Sequence, residues 1–199
     1  MNKENFLLYK QFKDPISKDD FLIAKQLYLD ALEENPYAMI KHKDIYELIT
    51  NIKRSPGKIG PYQDISVFEA LNRIGSDLVL LSGTTKIFNG DTEINVPAKI
   101  QLRMGNTHGF DFEVHTKSKG KIYGEAFNAA ESFCKSKMRD AIHKLMKNNP
   151  DKKAKHAIVF INQEVEDIIE NYKNKYENAD EKKDTKDSIK IHRIYCGKI

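Results

Sequence analysis

The sequence lacks the features that identify secreted and membrane-embedded proteins. Its 199 residues include only two cysteines, Cys134 and Cys196, which cannot form the multiple-bridge framework of a small secreted domain. No segment approaches the roughly 18 consecutive apolar residues of a membrane-spanning helix, and the apolar patch at 6–8 is too short for a signal peptide. These absences predict a cytoplasmic protein with reduced thiols and no membrane partner.

The sequence also has little net charge. Its 33 basic and 29 acidic residues give a formal charge of +4, which does not by itself predict nucleic-acid binding. Basic residues nevertheless cluster at 53–58, 117–121 and 135–139, and acidic residues are concentrated at 164–187. This distribution allows one positive surface on a nearly neutral protein, but a lysine-rich sequence also produces such clusters by chance, and both interpretations stay open.

Apolar periodicity predicts alternating helices and strands. Helices are expected at residues 19–35, 43–53, 64–74, 129–148 and 165–176. Strands are expected at residues 98–104, 110–117, 121–128, 156–162 and 189–196. The two prolines and two glycines of 54–62 predict a loop. Residues 78–81 favour either a buried strand or the end of the third helix, and Asn89-Gly90 indicates a tight turn between β-prone flanks.

This order predicts an α/β protein with one mixed β-sheet of about five strands, flanked by helices. Strands separated by helices favour parallel pairing at one edge of the sheet, and the hairpin favours antiparallel pairing at the other. The chain length suits one compact domain. Within it, residues 1–60 are expected to form a helical N-terminal extension, and residues 61–199 the α/β core.

The hairpin at 110–128 carries a group of three acids. A three-residue loop that ends in Gly120, with positive φ, sets the predicted register. The implied cross-strand pairs are Lys117–Lys121, His115–Tyr123, Glu113–Glu125 and Asp111–Phe127. Side-chain alternation puts these residues on one face. The other face is an apolar core face formed by Phe110, Phe112, Val114, Ile122 and Ala126.

Carboxylates at cross-strand distances of about 5 Å repel one another. A fold that keeps them supplies a shared proton, a basic partner or a divalent cation, and Mg²⁺ suits hard oxygen ligands and phosphate. The alternative is a solvated face on which Lys117, Lys119 and Lys121 neutralise the acids. The hairpin alone leaves both explanations open.

Residues 64–162 resemble the core of the PD-(D/E)XK nucleases, a superfamily that includes most type II restriction endonucleases. In that core an aspartate begins one strand. The next strand carries three consecutive positions: an acid, any residue and a lysine. Asp111 matches the first acid and Glu125-Ala126-Phe127 occupies the second motif, although Phe110 stands where proline is common. Glu69 resembles the glutamate that such families often add from a preceding helix.

Phe127 departs from this pattern because it stands where the family has lysine. The lysine helps to position or activate the attacking water and to steady the phosphate, and phenylalanine can do neither. Lys137, or failing that Lys135, lies near the start of the next predicted helix and could reach back toward Glu125. Both are equally consistent with ordinary surface lysines.

The resemblance implies Mg²⁺-dependent hydrolysis of DNA phosphodiester bonds. Asp111 and Glu125 would hold one or two Mg²⁺ ions, which lower the pKa of bound water and stabilise the leaving oxygen. Glu69 would hold a metal-bound water, and Glu113 would be a third ligand or else a surface acid paired with lysine. His115 could assist a proton transfer or contact the opposite strand. The other histidines lack metal-ligand spacing, so no zinc site is expected.

DNA would be bound first through phosphate contacts from lysine and arginine. The candidates from the basic clusters are Lys53, Arg54, Lys58, Lys117, Lys119 and Arg139. A palindromic target implies a two-fold symmetric homodimer. The extension at 1–60 could form the dimer interface or could bind DNA. The resemblance therefore implies a sequence-specific endonuclease acting on double-stranded DNA.

Two other functions stay open. A non-catalytic nucleic-acid-binding protein on the same fold would explain Phe127 as the sign of a lost active site, and it need not bind Mg²⁺. A structural or regulatory partner protein would have no DNA affinity even at low salt, where electrostatic binding is strongest. Metal-dependent cleavage and low-salt DNA binding separate the three.

Overall fold

The computed structural model describes residues 5–33, 43–105, 109–117, 120–147, 156–171 and 189–197. The helices are α1 Tyr9–Phe12, α2 Lys18–Glu33, α3 Ile45–Arg54, α4 Val67–Asn89 and α5 Glu131–Lys147. A 3₁₀ turn at Gln163–Val165 leads into a helical segment at 166–171. The strands are β1 Pro56–Ile59, β2 Tyr62–Ser66, β3 Lys99–Leu102, β4 Phe112–His115, β5 Lys121–Phe127, β6 His156–Asn162 and β7 Lys190–Cys196.

The main sheet is mixed, with the strand order β3-β4-β5-β6-β7. β3, β4 and β5 are antiparallel, whereas β6 and β7 run parallel to β5. The hairpin turns the chain back directly from β4 to β5, whereas α5 separates β5 from β6, as parallel pairing requires. The predicted mixed sheet is therefore confirmed, and β1 and β2 form a separate two-stranded sheet.

Alternate residues of the central strands enter two cores, one on each side of the sheet. Phe112 and Phe160 belong to the core that includes α4, and Tyr123 and Phe127 belong to the core beneath α5. Phe110 was predicted on the same face as Phe112, but its ring packs on Tyr123, in the core beneath α5, with centroids 5.0 Å apart. The difference arises because Phe110 precedes β4 and does not follow its alternation.

Helix α4 settles one open alternative and overturns one local prediction. Ser66 begins it by accepting a hydrogen bond from the N–H of Glu69, and Gly90 ends it with φ of 80°. Residues 78–81 therefore lie inside the helix. Asn89-Gly90 is a helix C-terminus, where glycine adopts the left-handed conformation without strain, and not a hairpin turn.

The predicted loop at 54–62 was also wrong, because this segment contains β1 and the turn into β2. Pro56 pairs with Ser66 at the edge of the small sheet, a position where a strand tolerates proline. Loop chemistry and an edge strand with a tight turn share the same residue types, so composition did not distinguish them.

The β4–β5 hairpin is shifted by two residues from its predicted register. The observed pairs are Phe112–Gly124, Glu113–Tyr123, Val114–Ile122 and His115–Lys121. The N–H and hydroxyl of Thr116 each donate to the carbonyl of Gly120 at 3.0 Å. Gly120 is therefore bonded across the hairpin and does not have the predicted positive φ, and Glu113 does not face Glu125. A shift of two residues leaves every strand side chain on its predicted face.

Two glycines allow α4 to lie close against the sheet. The rings of Phe112 and Phe160 stack with centroids 4.2 Å apart. A Cβ at Gly83 of α4 would lie 2.4 Å from the Phe160 ring, and a Cβ at Gly124 of β5 would lie 2.0 Å from the Phe112 ring. Glycine is required at both positions because any side chain would displace the stacked pair.

The N-terminal segment contributes to the α4 core. Phe6, Phe12, Phe21 and Tyr28 are buried in it. Helix α2 begins at Lys18, one residue before its predicted start, and the hydroxyl of Ser17 accepts from the Asp20 N–H at 3.2 Å. No helix within the described ranges is long and apolar enough to cross a membrane.

Candidate active site

Asp111 and Glu125 meet at the open end of the β4–β5 hairpin. Asp111 lies in the bend before β4, and its Oδ2 accepts a 2.8 Å hydrogen bond from the backbone N–H of Ala126. The backbone of Asp111 also lies close enough to the Glu125 carboxyl to act toward lowering its pKa. Asp111 is therefore adjacent to Glu125 instead of Phe127, its predicted partner. The two acids that match the nuclease motif are neighbours.

These two carboxyls retain protons more strongly than ordinary acids do. Burial, with the nearby charge of Asp111, raises the pKa of Glu125 to about 7 in spite of Lys144. Burial also raises the pKa of Asp111, although the Ala126 N–H and nearby cations oppose it. Within the described part of the chain, Oε1 of Glu125 is buried without a hydrogen-bond partner. A divalent cation stabilises such a pair in its ionised form.

Lys144 of α5 brings a positive charge to this pair. Its Nζ donates a 2.7 Å hydrogen bond to Oε2 of Glu125 and lies 5.9 Å from the centroid of the Phe110 ring. Lys137 lies two helical turns earlier, near enough for its charge to lower the pKa of Asp111. Lys135 and Lys137 are both exposed, so Lys144 is the lysine in direct contact with the pair.

Phe127 stands where the motif has lysine, and it serves the core beneath α5. Its side chain is buried there with Val159 and Ile161 of β6. Residue 127 therefore contributes to core packing, and the positive charge next to Glu125 comes from Lys144 of α5.

Glu113 is on the same face of the sheet as Glu125 but is surrounded by cations. Arg103 donates to its Oε1, and Lys121 donates to its Oε2 at 3.0 Å. Burial disfavours the ionised form, but Lys121 and Arg103 outweigh this effect and lower the pKa of Glu113. His115, with its Nε2 3.7 Å from Glu113 Oε2, has a pKa lowered by burial and by Lys121. Glu113 is thus ionised and already paired.

Asp111 also lines a cavity of about 370 Å³ that borders α4. The other charged residues lining it are Glu69, Arg73, Asp77 and Arg103. Glu69 lies in the first turn of α4 and forms an ion pair with Arg73. Glu69 therefore lines the same cavity as Asp111. This position is compatible with the role expected from the resemblance, in which Glu69 holds a water molecule near the metal.

A third acid lining this cavity is buried. Asp77 of α4 is 6% exposed, and its Oδ2 accepts hydrogen bonds from the hydroxyls of Tyr28, at 2.9 Å, and Tyr62. Burial raises the pKa of Asp77 to about 7, because it outweighs the two hydroxyl donors and is reinforced by the charge of Asp111. Asp77 thereby links α2 and β2 to the helix that borders the site.

The predicted DNA-binding residues within the described ranges are exposed. They are Lys53 and Arg54 at the end of α3, Lys58 on β1, Lys117 beside the β4–β5 turn, and Arg139 on α5. Lys119 lies outside the described residues. Arg139 approaches Asp140 at 3.9 Å, a contact between exposed charges that costs little to exchange for a phosphate.

The donor set at Asp111 and Glu125 fits a hard divalent cation. Carboxylate oxygens are the ligands that Mg²⁺ prefers, and the unpartnered Oε1 of Glu125 is a ready ligand. Among the described residues, no group of three or more histidine, cysteine, aspartate or glutamate side chains is assembled for a metal. Two carboxylates suffice for Mg²⁺ because it usually completes its octahedral shell with water and substrate phosphate.

Sequence reasoning did not find Lys144, Arg103 or Asp77. Lys144 carried a usable signal, since a spacing of seven residues from Lys137 places both on one helix face. Arg103 follows β3, and only the β3–β4 pairing brings it to Glu113.

Comparison with known proteins found no matching family model, no matching curated protein and no matching solved structure.

Proposed function

We propose that this protein is a Mg²⁺-dependent, sequence-specific endonuclease of the PD-(D/E)XK type that acts on double-stranded DNA, as type II restriction enzymes do. The observation that carries the proposal is the Asp111–Glu125 pair, joined through the Ala126 N–H at 2.8 Å and contacted by Lys144 at 2.7 Å. The element order supports it: α4, the antiparallel strands β3 to β5, then α5 and the parallel strand β6 follow the sequence of elements on which the resemblance was based.

Asp111 and Glu125 bind the cation in this proposal. They give up their proton on doing so, because a metal binds the ionised carboxylates. When bound, Mg²⁺ lowers the pKa of coordinated water and stabilises the charge that develops on the phosphate and the leaving oxygen. Glu69 orients water from its side of the shared cavity. Glu113 could become a third ligand only by exchanging its Arg103 and Lys121 contacts, so we assign it the positioning of those cations.

Lys144 supplies the charge that Phe127 cannot. Its ammonium contacts the carboxylate that holds the metal, which is where the motif lysine is expected to act on water and phosphate. Lys137 and Lys135 are the alternatives from the same helix. Lys144→Met should lower the rate of cleavage by at least about a hundredfold, the scale of one lost catalytic group, while Lys137→Ala and Lys135→Ala should leave most activity.

DNA is bound in this proposal through exposed lysines and arginines, and a palindromic target requires two copies of the chain. Replacing Lys53 or Arg54 with alanine should weaken binding to all sequences alike and reduce the salt dependence by about one phosphate contact each. Sedimentation of the protein with and without a DNA duplex tests the homodimer.

The decisive test is digestion of unmethylated phage or plasmid DNA by purified protein, with Mg²⁺ and with a chelator. Discrete, metal-dependent fragments would support the proposal, and Asp111→Asn and Glu125→Gln should abolish them. Asp167→Asn is the control, because this exposed acid lies in the 166–171 helical segment, on neither strand of the pair. A metal-dependent smear would retain the nuclease and remove its sequence specificity.

Phe127 supports a second candidate, a nucleic-acid-binding protein that has lost catalysis. Its side chain is buried in the core beneath α5, so the residue standing in place of the expected lysine contributes packing and supplies no charge. Absence of cleavage with every divalent metal, together with salt-dependent DNA binding, would favour this function. Absence of DNA affinity even at low salt would instead favour a structural or regulatory partner protein.

A further inference from the structure

A pair of histidines lies on the parallel side of the sheet, separate from the acids described above. His156 begins β6 and His192 lies on β7. His156 pairs with Lys190, and His192 pairs with Ile158. The two histidines are therefore diagonal neighbours on one face of the sheet. His156 Nδ1 and His192 Nε2 are 3.0 Å apart.

Glu93 brings a carboxylate to one of these rings. Its Oε2 is 3.4 Å from His192 Nδ1 and 3.2 Å from Lys190 Nζ. An ionised carboxylate can only accept a hydrogen bond, so His192 donates its proton from Nδ1. The lone pair of the neutral ring is then at Nε2, directed toward His156.

The separation of the two nitrogens matches two ligands of one metal ion. Nitrogens bound at 2.0–2.1 Å are about 2.9 Å apart at a right angle and about 3.3 Å apart at the tetrahedral angle, and the observed 3.0 Å lies between these values. The Glu93–His192 contact is the carboxylate–histidine arrangement that commonly orients metal-binding imidazoles. Both histidines and Glu93 line a cavity of about 700 Å³, which leaves room for water or an anion as further ligands.

We infer that His156 and His192 bind a late first-row transition metal ion, such as Cu²⁺, Ni²⁺ or Zn²⁺, with Glu93 holding the His192 ring. Imidazole nitrogens select these ions over Mg²⁺, so this site is chemically distinct from Asp111 and Glu125. The ion would have two protein ligands among the described residues, in line with the absence there of a three-residue group, and its remaining positions face the cavity. The 36-residue separation explains why no ligand spacing is visible in the sequence.

Calorimetric titration of untagged protein with Cu²⁺, Ni²⁺ and Zn²⁺ tests this inference, with excess Mg²⁺ present to occupy the carboxylate pair. We expect one site per chain, with Cu²⁺ bound more tightly than Ni²⁺ or Zn²⁺. His156→Gln and His192→Gln should each weaken Cu²⁺ binding at least about tenfold, and Glu93→Gln about tenfold. His143→Gln, an exposed histidine on α5, is the matched control and should bind as the wild type does.

The electron paramagnetic resonance spectrum of bound Cu²⁺ gives a second measurement that requires no variant to fold. Two coordinated imidazole nitrogens in the wild type would support the site. Three results would overturn the site: no Cu²⁺ binding, loss of binding in His143→Gln, or bound Cu²⁺ without nitrogen coordination. The 3.0 Å contact would then be an N–H···N hydrogen bond.

Discussion

Replacement of Glu125 by glutamine should increase the stability of the metal-free protein in mild alkali while abolishing the Mg²⁺-dependent cleavage that we propose. In the folded protein the pKa of Glu125 is raised from its ordinary 4.5 to about 7, because burial and Asp111 together outweigh the contact with Lys144. The ionised form of Glu125 therefore makes the folded state less stable. Glutamine has a similar shape and is never ionised.

The magnitude follows from proton linkage. Between pH 4.5 and about 7 the folded protein keeps a proton that the unfolded chain has lost, so the free energy of unfolding decreases as the pH rises through this window. One pKa unit corresponds to about 1.4 kcal/mol, so the whole shift corresponds to roughly 3 kcal/mol. The difference in stability between Glu125→Gln and wild type should increase by about this amount from acid to alkaline pH.

Chemical unfolding at pH about 4.5 and about 8, without metal, measures this difference. Glu113→Gln is the matched control on the neighbouring strand, because Lys121 and Arg103 lower the pKa of Glu113. Its charge stabilises the folded state at neutral pH and is lost in acid, so Glu113→Gln should be destabilising at pH about 8. Equal stability changes for Glu125→Gln at both pH values would refute the reasoning.

Three further outcomes are expected. Mg²⁺ affinity, measured by calorimetry, should increase with pH through about 7, because the metal displaces the proton held by Glu125; affinity independent of pH in that range would contradict this. Gly83→Ala should destabilise the protein by about 1–3 kcal/mol in chemical unfolding, because the added Cβ would lie 2.4 Å from the Phe160 ring, and unchanged stability would contradict the close packing. Lys144→Met should reduce cleavage much more than Lys137→Ala, and equal losses would assign the charge to both lysines.

Elements with a strong local pattern were predicted well. The strand at 156–162 has the predicted bounds, because its continuous apolar run is buried on both faces of a parallel strand. Helix α5 differs from its prediction at 129–148 by a few residues. The hairpin faces were also correct for the strand residues, because alternation depends on parity and a shift of two residues preserves it.

Predictions failed where one local signal serves two structures. Asn89-Gly90 suits both a hairpin turn and a helix end, and the helix prevails because residues 78–88 pack on the sheet as one continuous helix. The predicted hairpin register was wrong for a related reason. The loop pattern allowed two registers of the same parity, and the pairing of Thr116 with Gly120 selects the other one.

The sequence by itself determined the class of fold, the mixed sheet and the two acids of the candidate site, because periodicity and short motifs are local properties of the chain. Only the tertiary structure decided which groups meet: Lys144 with Glu125 at 2.7 Å, and His156 with His192 at 3.0 Å. These contacts join residues 19 and 36 positions apart. They depend on how α5 crosses the sheet and on which strands pair, and both are fixed by burial of the two cores, which no local pattern specifies.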